Sequence, residues 1–79
     1  MTVTIKYFGS IAEKTGTKEE AVTLDGEEYD LEALKQRCFS KYGFSEMESV
    51  KTAVNQSIES SGMLKDGDEV AFLPPFAGG

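Results

Sequence analysis

The closing stretch of the chain, EVAFLPPFAGG (residues 69–79), joins a strand pattern to an abrupt end. Its first five residues alternate so that Val and Phe point to one side and Ala and Leu to the other. Pro74 and Pro75 cannot donate backbone hydrogen bonds, so the strand must end before them. We therefore predict a folded domain over residues 1–75 and a flexible tail over residues 76–79.

Three further strands are predicted upstream of this one. TVTIKYF (residues 2–8) and EAVTL (residues 20–24) alternate in the same way, and VKTAVNQ (residues 50–56) is rich in strand-forming residues. KDGDE (residues 65–69) predicts a tight turn that leads into the last strand. The polar stretch SIESSG (residues 57–62) carries no strand pattern.

Two helices separate these strands. Ser10 and Glu13 have the spacing of a capping box, which predicts a short helix from Ile11 to Gly16. A longer helix is predicted to begin after a capping aspartate and to end at a glycine. The capping residue is Asp30 and the final glycine is Gly43. The apolar stripe between them is Leu31, Leu34, Cys38 and Tyr42.

The order of these elements indicates an α+β fold. A mixed sheet with one main helix packed across one face accommodates them, and the last strand is expected to lie beside the first. That arrangement is the ubiquitin-like β-grasp. Residues 44–49 show no clear period and are predicted to form a loop.

Composition excludes several classes of function. The formal charge of −6, from 14 acidic and 8 basic residues, disfavours a nucleic-acid partner. The chain has no histidine and one cysteine, so it lacks the usual residues for zinc ligation or Ser-His chemistry, and we expect no metal site. No apolar stretch is long enough for a membrane span, and no signal-peptide pattern is present, so we expect a cytoplasmic protein without a membrane partner.

The Gly-Gly end gives the chain a slender terminal carboxylate. Glycine has no side chain, so Gly78 and Gly79 fit a channel too narrow for other residues and leave the terminal carbon open to attack. A carboxylate becomes electrophilic once an activating enzyme converts it to an acyl-adenylate. The alternative is an ordinary frayed chain end.

Three stretches of this sequence resemble one family. LKDGDEVAFLPPFAGG (residues 64–79), AVNQ (residues 53–56) and KYFGSIAEKTG (residues 6–16) are similar to the small subunit of molybdopterin synthase, the MoaD-type sulfur carrier of the MoaD/ThiS family. The resemblance covers nearly the whole chain. It implies that Gly79 is adenylated, converted to a thiocarboxylate and used to donate sulfur to cyclic pyranopterin monophosphate, which forms the molybdopterin dithiolene.

The same resemblance implies the partners. They are the large subunit of molybdopterin synthase (MoaE-type), a ubiquitin-activating-like adenylyltransferase (MoeB-type) and a sulfur donor. The active site is expected on the large subunit, so this chain is a non-catalytic sulfur-carrying subunit, and the complex is expected to be a heterotetramer. No cofactor is expected to stay bound, and ATP is consumed by the activating enzyme.

Apolar residues near the tail are candidate contacts with the large subunit. Phe8 and Leu73 oppose the core side of their strands and, with Ile58, are expected to form one patch. The full set predicted at the partner interface is Phe8, Ile58, Leu73, Pro74 and Pro75. The residues predicted to insert into the partner are Phe76, Ala77, Gly78 and Gly79. The family often has an arginine where this chain has Ala12, so a partner salt bridge there is not expected.

Three interpretations compete with this one. A ThiS-type carrier would supply sulfur for the thiazole of thiamine, a ubiquitin-like modifier would join Gly79 to lysines of target proteins, and a plain interaction domain would leave the tail idle. Cys38 is interpreted as a core residue. The acidic run between Lys18 and Asp30 is interpreted as solvated loop, and Asp66 with Asp68 as turn residues instead of calcium ligands.

Overall fold

A computed structural model of the chain describes residues 1–43, 50–59 and 61–74. It contains seven strands and two helices within those residues. Their bounds are β1 Thr2–Tyr7, α1 Gly9–Thr15, β2 Glu19–Thr23, β3 Glu28–Asp30, α2 Leu31–Tyr42, β4 Lys51–Val54, β5 Ser57–Ile58, β6 Met63–Lys65 and β7 Glu69–Leu73. The predicted loop at residues 44–49 and the predicted domain boundary after Pro75 lie outside the described residues.

The described strands form a five-stranded mixed sheet in the order β2-β1-β7-β4-β5. β7 runs parallel to β1, and the other neighbouring pairs are antiparallel. The last strand therefore lies beside the first, as predicted, and the β-grasp prediction is confirmed. β3 and β6 pair separately as a small antiparallel sheet.

The core lies between one face of the large sheet and α2. Alternate residues of β1 and β7 are fully buried, and they pack against the apolar stripe of α2 and against Ile11 of α1. The ring of Phe72 lies 5.2 Å from that of Phe39 and 5.9 Å from that of Tyr7. Cys38 is buried in this cluster, as predicted, and burial raises the pKa of its thiol.

Both ends of α2 follow the predicted signals. The Asp30 side chain accepts a hydrogen bond from the backbone N–H of Ala33 at 3.2 Å, which caps the first turn. Gly43 adopts the left-handed conformation, with a φ of 73°, and its N–H bonds back to the last turn. The sequence missed only Phe39 among the buried residues of this helix.

The capping box predicted for α1 is wrong. The helix begins at Gly9, and the residue in the cap position is Phe8, which makes no side-chain capping bond. Gly9 has a φ of 55°, which turns the chain into the helix one residue before Ser10 and leaves that serine inside the first turn. The Phe8 carbonyl accepts a hydrogen bond from the N–H of Ile11 at 3.1 Å.

The third predicted strand is shorter than expected. It ends at Val54, because Asn55 and Gln56 adopt left-handed conformations and form the turn between β4 and β5. β5 lies in the stretch that was expected to be irregular, and β3 and β6 were not predicted either. These strands have only two or three residues, too few to show an alternating pattern.

Candidate functional site

The face of the large sheet opposite α2 is called here the outer face. Strand pairing places Lys6 of β1 beside Ala71 of β7, Ala71 beside Ala53 of β4, and Ala53 beside Ile58 of β5. Paired residues share a face, and the residues on either side of Ala71 point into the core. From Ala71 to Ile58, a row of small and apolar side chains therefore crosses the outer face, with Lys6 at its border.

This row and the end of β7 form what we call the outer apolar strip: Phe8, Ala53, Ile58, Ala71 and Leu73. Phe8 is 44% exposed and Ile58 is 65% exposed, whereas Ala53 is only 6% exposed. The two large exposed side chains thus lie at the two ends of the strip, with short alanine side chains between them. A flat, apolar centre of this kind allows a partner backbone or ring to approach the sheet closely.

The predicted patch is spread over more of the sheet than expected. Phe8 and Leu73 are close to the end of the β1–β7 pair, where the N–H of Phe8 donates to the carbonyl of Phe72 at 3.2 Å. Ile58 lies on β5, two strands away from β7, or about 10 Å at the usual strand spacing. The sequence analysis missed Ala53 and Ala71, which connect these ends.

Charged side chains border the strip. Lys6 forms an ion pair with Glu69 at 3.0 Å, and its hydrogen bond to that carboxylate raises the pKa of Lys6 above its usual range. Glu19 lies on the far side of Lys6 at 4.0 Å. Exposed pairs of this kind add little stability, so their main effect is to give the strip a polar edge.

The chain leaves the sheet beside this strip. Leu73 is the last residue of β7 and pairs with Lys51, and Pro74, which is half-buried, ends the ladder. Gly9 lies against the Pro74 ring: a Cβ built on Gly9 would be 3.0 Å from the Cγ of Pro74. The predicted interface residue Pro75 and the predicted insertion residues 76–79 lie outside the described residues.

A polar cluster on the inner side corrects one interpretation. Glu20, the first residue of the second predicted strand, was also included in the acidic run interpreted as solvated, but its side chain is only 20% exposed. Its carboxylate accepts hydrogen bonds from the hydroxyls of Tyr7 at 2.7 Å and Tyr42 at 2.5 Å, and from Lys41 Nζ at 3.1 Å. These bonds tie β2 to the end of α2, and no local pattern in the sequence indicates them.

Electrostatics within this cluster follow from those contacts. Partial burial alone would raise the pKa of Glu20, but the hydrogen bonds from Tyr42, Tyr7 and Lys41 outweigh it and hold the pKa below its usual value of 4.5. Burial, and then the bond to Glu20, raises the pKa of Tyr7. The bond to Glu20 likewise raises the pKa of Tyr42. The cluster is thus one carboxylate held ionised by two neutral phenols and an ammonium group.

The aspartates near the last turn serve the fold. Asp66 accepts a hydrogen bond from the backbone N–H of Thr2 at 2.8 Å, and Asp68 accepts from Lys65 N–H at 2.8 Å and from Asn55 Nδ2 at 3.0 Å. Among the described residues, no group of three or more carboxylate and thiol side chains could hold a metal ion. No helix in that part of the chain is long and apolar enough to cross a membrane.

Both the sequence and the fold of this chain resemble those of known proteins. The profile described as the ThiS family matches residues 5–79, all of the chain except its first four residues. The chain belongs to the ThiS family. No match was found for this ThiS-family protein among curated proteins. Membership confirms the resemblance to the ubiquitin-like sulfur carriers of the MoaD/ThiS type.

Solved structures agree with this assignment. The ThiS-family protein is similar to the protein assigned as molybdopterin converting factor subunit 1 from Pyrococcus furiosus, with 26% identity and a TM-score of 0.82 over 96% of this chain and 99% of that chain. It is also similar to a chain of the complex of subunits 1 and 2 of molybdopterin-converting factor from Helicobacter pylori, with 28% identity and a TM-score of 0.73 over 100% of both chains. SAMP1 from Haloferax volcanii shares the fold, with 21% identity and a TM-score of 0.81 over 100% of both chains.

Proposed function

We propose that this protein is a sulfur carrier and the small subunit of molybdopterin synthase. The observation that carries the proposal is the position of the outer apolar strip, which reaches Leu73 where the chain leaves the sheet towards Gly79. A partner that covers the strip meets the root of the tail at the same time. Docking and delivery of the terminal carboxylate are therefore a single event.

Similarity to two structures favours the molybdopterin pathway. Both the Pyrococcus furiosus and the Helicobacter pylori proteins are named as parts of molybdopterin converting factor, and the second was solved as a complex of subunits 1 and 2. In this protein the equivalent partner is a MoaE-type large subunit. We place its contact on the outer apolar strip, with Phe76 as an anchor for the tail.

Loading of sulfur takes two steps at Gly79. The terminal carboxylate attacks the α-phosphorus of ATP on a MoeB-type enzyme, and pyrophosphate leaves. Sulfide supplied by the donor then attacks the acyl carbon of the adenylate, and AMP leaves with the oxygen that sulfur replaces. Because Gly79 has no side chain, nothing crowds the carbon under attack.

Delivery of sulfur returns the carrier to its starting form. The thiocarboxylate sulfur attacks a side-chain carbon of cyclic pyranopterin monophosphate in the large subunit, and an oxygen substituent of that carbon leaves as the carbon–sulfur bond forms. Water then cleaves the bond between the sulfur and the Gly79 carbonyl. The products are a carbon–sulfur bond on the pterin and a free terminal carboxylate. A dithiolene contains two sulfur atoms, so two loaded tails are used for each product.

Intact mass spectrometry tests the loading step. The protein is incubated with ATP, the activating enzyme and a sulfur donor, and the expected result is replacement of one oxygen by sulfur. A chain that lacks Gly78 and Gly79 is the control and should keep its original mass. If the full chain also keeps its mass while the same enzyme loads a known carrier, sulfur carriage is disproved.

A second experiment assigns the pathway. The loaded protein is mixed with a purified large subunit and cyclic pyranopterin monophosphate, and formation of the dithiolene is followed. Product formation supports molybdopterin synthesis. Sulfur transfer only to a thiazole synthase would assign the chain to thiamine synthesis, and conjugate ladders that require Gly79 would assign it to protein modification.

A further inference from the structure

Gly9 and Pro74 form a close contact between the start of α1 and the exit of β7. A Cβ built on Gly9 would lie 3.0 Å from the Cγ of Pro74 and 3.6 Å from its Cδ. Carbon atoms in ordinary contact are about 3.5–4.0 Å apart, so a side chain here would have to displace the proline ring by a few tenths of an ångström. The bare Cα of Gly9 is therefore the surface on which Pro74 rests.

This contact is at the root of the tail. The N–H of Phe8 donates to the carbonyl of Phe72 at 3.2 Å, which holds the two chain segments together just before Gly9 and Pro74. Pro74 has a fixed φ, and the proline that follows it restricts its ψ to extended values, so the position of its ring strongly influences the direction in which the chain leaves. Five residues follow it, and five residues reach at most about 17 Å, so a small rotation at the root moves the end by several ångströms.

We propose that Gly9 is a positioning residue for the loading of Gly79, acting through its contact with Pro74. This inference rests on the proposed function of the tail as a sulfur carrier. Gly9 touches neither ATP nor the reacting carbon. It sets the angle at which the tail enters the activating enzyme, which we infer docks on the same outer apolar strip as the large subunit because that strip borders the root of the tail.

The chain offers a matched control at the other end of the same helix. Gly9 and Gly16 both have positive φ values, 55° and 76°, so an alanine at either position carries backbone strain. A Cβ on Gly16 would meet nothing within 4 Å, whereas one on Gly9 meets Pro74. Comparison of Gly9→Ala with Gly16→Ala therefore isolates the contact with the proline from the strain of the backbone.

The test measures adenylation of the full chain by the activating enzyme as pyrophosphate release over a range of carrier concentrations. For Gly9→Ala, kcat is expected to fall about 10-fold or more, since small errors of position are costly, while KM changes less than about twofold because the docking strip is intact. Gly16→Ala should keep both values. Thermal unfolding should show a loss of stability in both variants, at least as large in Gly9→Ala as in Gly16→Ala, because only Gly9→Ala adds the contact with Pro74.

Removal of the proline ring should abolish the effect of Gly9→Ala on kcat. Pro74→Ala lacks the two atoms that an alanine at position 9 would meet. If Gly9 acts through Pro74, then adding Gly9→Ala to the Pro74→Ala variant should change kcat by less than about twofold, because the two effects are coupled. An equal loss of kcat in both backgrounds would overturn the proposal.

The remaining outcomes separate this inference from the proposed function. Normal loading of Gly9→Ala beside normal loading of wild type overturns the role of Gly9 alone. Failure of wild type to load, with a known carrier active, overturns both. If Gly9→Ala does not fold, the double variant decides: loading at the rate of Pro74→Ala supports the proposal, and a double variant that also fails to fold overturns it.

Discussion

The two faces of the five-stranded sheet are built by the same strands, yet their side chains contact different things. On the inner face, the large side chains of β1 and β7 are fully buried against α2, and the Glu20 carboxylate is held by three donors. On the outer face, two alanines separate the exposed side chains of Phe8 and Ile58. The inner face holds most of the buried core, and the outer face carries the exposed apolar side chains that we propose contact a partner.

A comparison of Phe72→Ala with Phe8→Ala is the sharpest test of the difference between the two sheet faces. Phe72 is fully buried between two aromatic rings, so its truncation is expected to cost about 3–5 kcal/mol. A domain of 79 residues has a total free energy of unfolding of about 4–12 kcal/mol, so this variant should lose between about a quarter and all of its stability. The same change at exposed Phe8 should cost less than about 1 kcal/mol. Urea denaturation followed by circular dichroism measures both, and equal losses would remove the distinction between the faces.

Phe8→Asp tests whether the outer face binds the large subunit. A charge in place of this aromatic ring should weaken binding of the large subunit by about 30-fold, the effect of losing about 2 kcal/mol at an aromatic contact of an interface. Thr23→Asp is the control, since it adds the same charge to the same face on the edge strand β2. Isothermal titration calorimetry gives the affinities. Unchanged affinity for a folded Phe8→Asp protein would show that the strip is not the docking surface.

Glu20→Gln asks whether the polar cluster belongs to the stabilising face. Loss of the charged acceptor should lower the free energy of unfolding by about 1.5 kcal/mol at neutral pH, because hydrogen bonds to a charged group exceed those to a neutral one. The folded pKa of Glu20 is below its usual 4.5, so its contribution is complete above that value and is lost as pH falls through the folded pKa.

The lowered pKa of Glu20 determines how stability should change with pH. The difference in stability between wild type and Glu20→Gln should be constant from pH 7 to about pH 5 and shrink below about pH 4.5. Glu19→Gln is the matched control, because Glu19 is exposed and lies 4.0 Å from its nearest cation. A difference that stays constant down to pH 3 would mean that Glu20 does not stabilise the fold through its charge.

The sequence predicts those features of the two sheet faces that depend on residues close together in the chain. Alternation in β1, β2 and β7 and the two ends of α2 depend on residues close together in the chain, and those predictions are confirmed. The place of Ala53 on the outer strip depends on the register of β4 against β7, which no local pattern specifies. The phenol partners of Glu20 come from two other elements of the fold, so the same limit applies.

The contact between Gly9 and Pro74 shows the same limit at the candidate site. The sequence predicts that two prolines end the last strand, because their missing N–H groups are a local property. Which residue supports the first proline depends on the parallel pairing of β1 with β7, whose partners are far apart in the chain. The roles of Phe76 and Gly79 stay predictions, since they concern residues outside the described ranges.

Thr52→Val should have the smallest effect and the opposite sign. Thr52 lies on the inner face beside Phe72, and its buried hydroxyl has no hydrogen-bond partner among the described residues. Replacing the hydroxyl with a methyl group keeps the shape and removes an unsatisfied polar atom, so stability should rise by about 1 kcal/mol. Thr23→Val, at an exposed position, should change it by less than about 0.5 kcal/mol. A loss of stability in Thr52→Val would mean that residues outside the described ranges supply a partner for this hydroxyl, and that the inner face is fully satisfied.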